Sequence, residues 1–178
     1  MKTLLLALAV FASPAAFAGS SIEMRVSLST SATFSAVSAT SYRATSGTTT
    51  TKGMLAASVD GRYVQQDIPE TTQTADSGAQ IDLLGNDQIR LTGTDAQSAI
   101  TMRARFAQDG SFRVSGNEMS RAMRALVADK LEATKRQLEA QGGEVRMSIH
   151  AADMICRKAA RALACSYGAS IVLKASSR

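Results

Sequence analysis

The chain has 178 residues, with 20 Lys and Arg against 15 Asp and Glu, two Cys, one His, three Tyr, five Phe and no Trp. A lone histidine excludes a metal centre built from histidines, and the scarcity of aromatic rings argues against a sugar cleft lined by stacking side chains. The small basic excess favours contact with anionic surfaces, although a weakly basic solvated exterior is the plainer account of it.

Residues Met1–Ala18 are read as a cleavable secretory signal. Lys2 supplies the initial positive charge and Leu4–Ala12 an unbroken apolar run; Pro14 and then Ala16-Phe17-Ala18 provide the break and the small-residue cleavage site. The run is shorter than the roughly 20 residues that span a hydrocarbon core, and no second long apolar run follows, so no stable membrane span is expected. The product is expected to be periplasmic or secreted. Residues 19–178 are expected to form a single domain with a core of Ala, Val, Ile, Leu and Met.

Ile22, Met24, Val26 and Leu28 alternate with polar residues, as a half-buried strand does. Phe34, Ala36, Thr40 and Tyr42 continue more weakly on a second segment, with a connection expected around Ser29–Ser31. Thr45–Thr51 has no apolar member and reads as a loop. Turn signals stand at Asp60-Gly61, between Met54–Val59 and Arg62–Gln66, at Gly85-Asn86, between Ile81–Leu84 and Gln88–Leu91, and at Asp109-Gly110, between Ile100–Ala107 and Ser111–Val114. The last is the clearest, because Ile100, Met102, Ala104 and Phe106 alternate before it and Phe112 and Val114 after it; it predicts a two-residue hairpin turn. None of the three turns has the carboxylate set of a calcium loop. The segment Ile68–Gln80, with Pro69 and Gly78, reads as a surface loop and a candidate mobile binding element.

The clearest element is a helix from about Ser115 to Gly142-Gly143. Ser115 and Glu118 have capping-box spacing, and Met119, Met123, Leu126, Val127, Leu131, Thr134 and Leu138 recur at helical intervals. The methionines on that stripe are expected to be core rather than a metal site. The helix is expected to lie across a sheet. Val145, Met147, Ile149 and Ala151, then Ala169, Ile171 and Leu173, alternate as strands.

Between those strands, Met154–Cys165 admits two readings. Its alanines favour a helix. In a helix, however, Cys156 and Cys165 would lie about 13 Å apart along the axis, whereas a disulfide needs Cα atoms within roughly 7 Å. Export implies an oxidising compartment, which favours two strands closed by a Cys156–Cys165 bond, with Met154 facing Tyr167 and Ala152 facing Ala169. Arg157, Lys158 and Arg161 would form a basic loop at the tip. Eight intervening residues do not suit thioredoxin-type redox chemistry.

The expected fold class is therefore α+β: antiparallel hairpins forming a sheet, one long amphipathic helix packed on it, and a disulfide-closed strand pair at the C-terminus. No catalytic, cofactor or metal motif is present. His150 lacks the sequence context of a hydrolase triad, and no carboxylate pair stands out. The leading functional expectation is an envelope protein acting by binding or assembly, with another envelope protein or a second copy as partner. A small secreted enzyme or inhibitor acting on an envelope polymer is the first alternative. The second is an anionic-polymer binder using Arg103, Arg105 and Arg113, or Arg157, Lys158 and Arg161.

Overall fold

A computed structural model describes residues 21–59, 62–74, 78–93, 99–140 and 143–177. The expected signal segment Met1–Ala18 lies outside them. The elements in chain order are β1 (Ser21–Ala36), β2 (Ser41–Val59), β3 (Arg62–Thr74), β4 (Gln80–Gly85), β5 (Gln88–Thr92) and β6 (Ala99–Arg103). They continue with β7 (Arg105–Phe106), β8 (Phe112–Val114), α1 (Gly116–Glu139), β9 (Gly143–Ala151), β10 (Met154–Ala159) and β11 (Ala162–Ser177).

The expected α+β layering is overturned. The fold is predominantly β, a nearly closed, barrel-like antiparallel sheet, and α1 does not lie across it as a second layer. Strand order is β6-β5-β4-β2-β1-β11-β10-β8-β7. Only Ala104 separates β6 from β7, so the two ends of this order are continuous in the chain and the sheet curls back on itself. β1, β2 and β11 are long enough to serve two regions. Their first region, with β4–β8 and β10, is the barrel; the second, flanked by β3 and β9, is a five-stranded wing.

Inside the barrel, Phe34, Tyr42, Ile81, Ile89, Met102, Phe112, Val114, Met154 and Leu163 form the main core, joined by Met119 from α1. The wing has a smaller core of Met24, Val26, Val145, Leu173 and Ala175. Gly53 lets the strands close here: a Cβ on it would stand 2.6 Å from the Arg25 carbonyl oxygen, and in its place Ile68 reaches toward Val26.

Several segments expected to be loops are strands. Residues 45–51 run within β2, and β1 continues unbroken through Ser29–Ser31. Threonine is β-branched and suits extended backbone, and its neighbours across the sheet are also hydroxyl residues. Thr30 bonds Thr49 at 3.1 Å and Thr50 bonds Thr72 at 3.3 Å, so no apolar face is needed to hold the register. Likewise the expected loop 68–80 is strand as far as Thr74, with Pro69 absorbed in a bulge. The Asp109-Gly110 turn is a longer loop than expected. The Ala107 N–H donates to the Ser111 carbonyl, and Asp109 accepts from the Ser111 N–H at 2.8 Å.

The disulfide is present. Cys156 and Cys165 face each other across β10 and β11 with Cα atoms 4.1 Å apart. So short a closed loop contributes about 2–3 kcal/mol through the unfolded chain. β10 and β11 keep the expected register, with Ile155 facing Ser166, while on its other side β10 meets β8, Met154 facing Val114. Farther on, the expected pairing is corrected, since Ala169 faces Ala151 rather than Ala152. The connection is also tighter than a basic loop. β10 and β11 run to Ala159 and from Ala162, Ala160 takes a positive φ of 52°, and of the three cations only Arg161 sits at the tip.

Candidate functional site

Two features outside the core merit functional attention: the outer edges of the wing, and a groove where wing and barrel meet. Helix α1 determines the first. The Ser115 hydroxyl accepts the Glu118 N–H at 3.4 Å, the half of the capping box that sequence spacing anticipates. Glu118 itself pairs with Arg121. Asp153, from beyond β9, accepts the Gly116 N–H at 2.6 Å and also pairs with Arg113. Met119 is buried and Met123 half-buried, whereas Leu126 is exposed; the side chains of Val127, Leu131, Thr134 and Leu138 lie outside the described residues.

From this anchor α1 runs along the outer edge of β9. The Ala151 N–H donates to Ser120 Oγ at 2.8 Å, and Arg124 donates to the Ile149 carbonyl at 3.1 Å. Both backbone groups would otherwise face outward unpaired. Gly116 permits the approach, because a methyl group there would overlap the Ala151 carbonyl oxygen.

The opposite edge has no such cover. β3 pairs with β2 on one side, and its other side pairs with nothing among the described residues. All of β3 is exposed except Ile68, and Tyr63 and Val64 retain 66% and 64% of their surface. Pro69 and Glu70 together oppose Lys52, which interrupts the edge midway. Tyr63–Gln66, before the interruption, contains neither a charge nor a proline.

The groove has a volume of about 390 Å³ and lies on the outer face where β10, β11, β1 and β2 adjoin. Its lining includes Ser31, Thr33, Ser46, Thr48 and Ser166, together with Ile155 and Arg157. Cross-strand register explains the assembly. Thr48, Ser31, Ser166 and Ile155 stand opposite one another in turn, and the same row continues through Arg113 to Arg105. The next row holds Ser46, Thr33, Ala164 and Arg157. Side chains one residue along, such as Cys156 and Phe112, are buried in the barrel core instead.

The sequence-selected cations are thus sorted by the fold. Arg105 and Arg113 are direct cross-strand partners, and Arg157 is near them on the same wall. Arg103 is exposed opposite Gln88, Lys158 lies over the Gly110 turn, and Arg161 occupies the β10–β11 tip. Arg113 has Asp153 as partner; among the described residues Arg105 and Arg157 make no ion pair. The hydroxyl residues of the groove were hidden in sequence because two of the five, Ser46 and Thr48, fall in the Ser/Thr run that reads as loop.

Elsewhere the titratable groups are ordinary surface pairs. Hydrogen bonds from Lys174 and then Arg25 hold Glu23 below its usual carboxylate range, and the Ser111 N–H and hydroxyl do the same for Asp109. His150 is exposed on β9 opposite Ser170. Among the described residues no three of His, Cys, Asp and Glu converge as metal ligands, and no helix is long and apolar enough to cross a membrane. The residues lining the groove include no carboxylate. Comparison with protein-family models, curated proteins and solved structures gives no match to this chain.

Proposed function

We propose that this is an exported cell-envelope protein that works by assembly, a second copy pairing along β3. The observation that carries this reading is the contrast between the wing edges: α1 takes up the outward Ile149 carbonyl and Ala151 N–H of β9, while β3 keeps an uncharged, exposed stretch at Tyr63–Gln66. An edge strand of this kind is a template for another strand. With α1 on the Ile149–Ala151 end of β9, β3 of one copy meets an obstructed edge on the next, which disfavours head-to-tail growth. Pairing of β3 with β3 satisfies both bare edges at once and closes as a two-fold dimer. The N-terminal sequence pattern supports export, and the disulfide is compatible with an oxidising compartment.

The test is the native mass of the mature protein by light scattering over a range of concentration. The expected mass rises to twice that of one chain. Val64→Lys, which places a charge on the exposed edge, is expected to restore the monomer and leave the unfolding midpoint within about 0.5 kcal/mol of the parent. A monomer at every concentration, or a dimer indifferent to Val64→Lys, would overturn the reading.

A further inference from the structure

The arginine row and the hydroxyl groove form one continuous surface, and we infer that it binds an acidic polysaccharide bearing carboxylate or sulfate groups. The first reason is electrostatic. Arg105 and Arg113 face each other directly across β7 and β8, and like charges so placed destabilise a sheet unless something neutralises them. Asp153 serves Arg113; Arg105 and Arg157 have no carboxylate partner among the described residues. A guanidinium engages carboxylate or sulfate through two parallel hydrogen bonds, and an anion at this wall would complete the arrangement.

The second reason is the chemistry of the floor. Ser31, Thr33, Ser46, Thr48 and Ser166 present five hydroxyls to one groove, and none of these side chains has a protein hydrogen-bond partner among the described residues. A cluster of donors and acceptors beside guanidiniums suits a ligand that alternates hydroxyl and acidic groups. The row from Arg105 to Thr48 crosses six strands, about 24 Å along the sheet at ordinary strand spacing, so it matches an extended polymer better than a single sugar. No aromatic ring lines the groove. That absence counts against single-stranded nucleic acid, whose bases need stacking platforms. It also replaces the ring-stacked sugar cleft with recognition by hydroxyl and charge.

Calorimetry on the mature protein at physiological salt tests this with four probes: oligogalacturonate, dextran sulfate, a neutral maltooligosaccharide and a single-stranded DNA oligonucleotide. Binding is expected to oligogalacturonate or dextran sulfate, the stronger of the two identifying the acidic group. The neutral sugar and the DNA are expected to bind at least ~10-fold more weakly. Arg157→Glu should lower affinity by ~10-fold or more, as the loss of a charge-assisted pair implies. Thr48→Val should lower it by about threefold, one hydrogen bond's share. Arg146→Glu, far along β9, should leave it unchanged. No binding to either acidic glycan, DNA bound equally well, or equal losses for Arg146→Glu and Arg157→Glu would each overturn the inference. Native mass is read on the same variants. Arg157 and Arg146 lie on strands that do not pair with β3, and Thr48 meets β3 only at Thr74, away from Tyr63–Gln66, so glycan binding and dimerisation can fail separately; circular dichroism confirms that each variant is folded.

Discussion

The wing presents two outer strands of the same sheet to solvent, and they are treated oppositely. Along β9, Ser120 and Arg124 occupy outward backbone groups, and α1 begins against Ala151 with Gly116 as the point of contact. Along β3 the only interruption is the Pro69 bulge, before which Tyr63 and Val64 remain open. The difference teaches that α1 is less a core element than an edge cover. Among the described residues, Met119 and Ala122 in its first turns are the ones it buries in the main core. A chain that spends a 24-residue helix on one edge and leaves the other bare has separated a protected side from an available one.

The contrast can be broken at Gly116. Gly116→Ala gains about 1 kcal/mol of helix propensity but forces an overlap with the Ala151 carbonyl costing about 3 kcal/mol, a net loss near 2 kcal/mol. Chemical denaturation measures it. If the start of α1 lifts away, β9 becomes a second open edge, and light scattering should then show open-ended oligomers in place of a dimer. Asp153→Ala comes next. It removes the carboxylate that accepts the Gly116 N–H, costing about 1–1.5 kcal/mol in the same denaturation experiment, while its ion pair with the exposed Arg113 adds little. Ser120→Ala is the smallest. It strands the Ala151 N–H at a cost of about 1 kcal/mol, partly offset by alanine's better helix propensity, so a loss near 0.5 kcal/mol is expected. Amide hydrogen exchange at Ala151 should quicken even where the global midpoint hardly moves.

Legibility in the sequence followed the side-chain pattern. Where apolar residues alternate, as at 22–28, 145–151 and 169–173, the strands stand as read. The cysteine spacing also identified a strand pair in an alanine-rich segment that propensity alone would make helical. Reading failed where polar residues are held by other polar residues. The Thr45–Thr51 run carries no periodic signal because both of its faces are hydroxyl-rich, and the cross-strand partners that stabilise it are distant in sequence. The helix was recognised, but its place was not, since nothing in an amphipathic stripe distinguishes a sheet face from a sheet edge. The candidate groove shares this obscurity. Arg105, Arg113 and Arg157 were visible as cations, whereas their alignment with Ser166, Ser31 and Thr48 depends on register across six strands.

The pairing of β1 with β11 has a consequence for how the chain reaches this state. Ser21 lies beside Ser176, so the strand that begins the described fold has β2 as one neighbour and finds the other only in the last strand. Closing so long a loop costs entropy before any contact repays it, and sheets dominated by such pairings fold slowly. Until β11 is available, β1 has an exposed apolar face and an unmatched edge. The β1–β11 ladder therefore cannot form before the last strand is available, and the barrel is completed by the final segment of the chain.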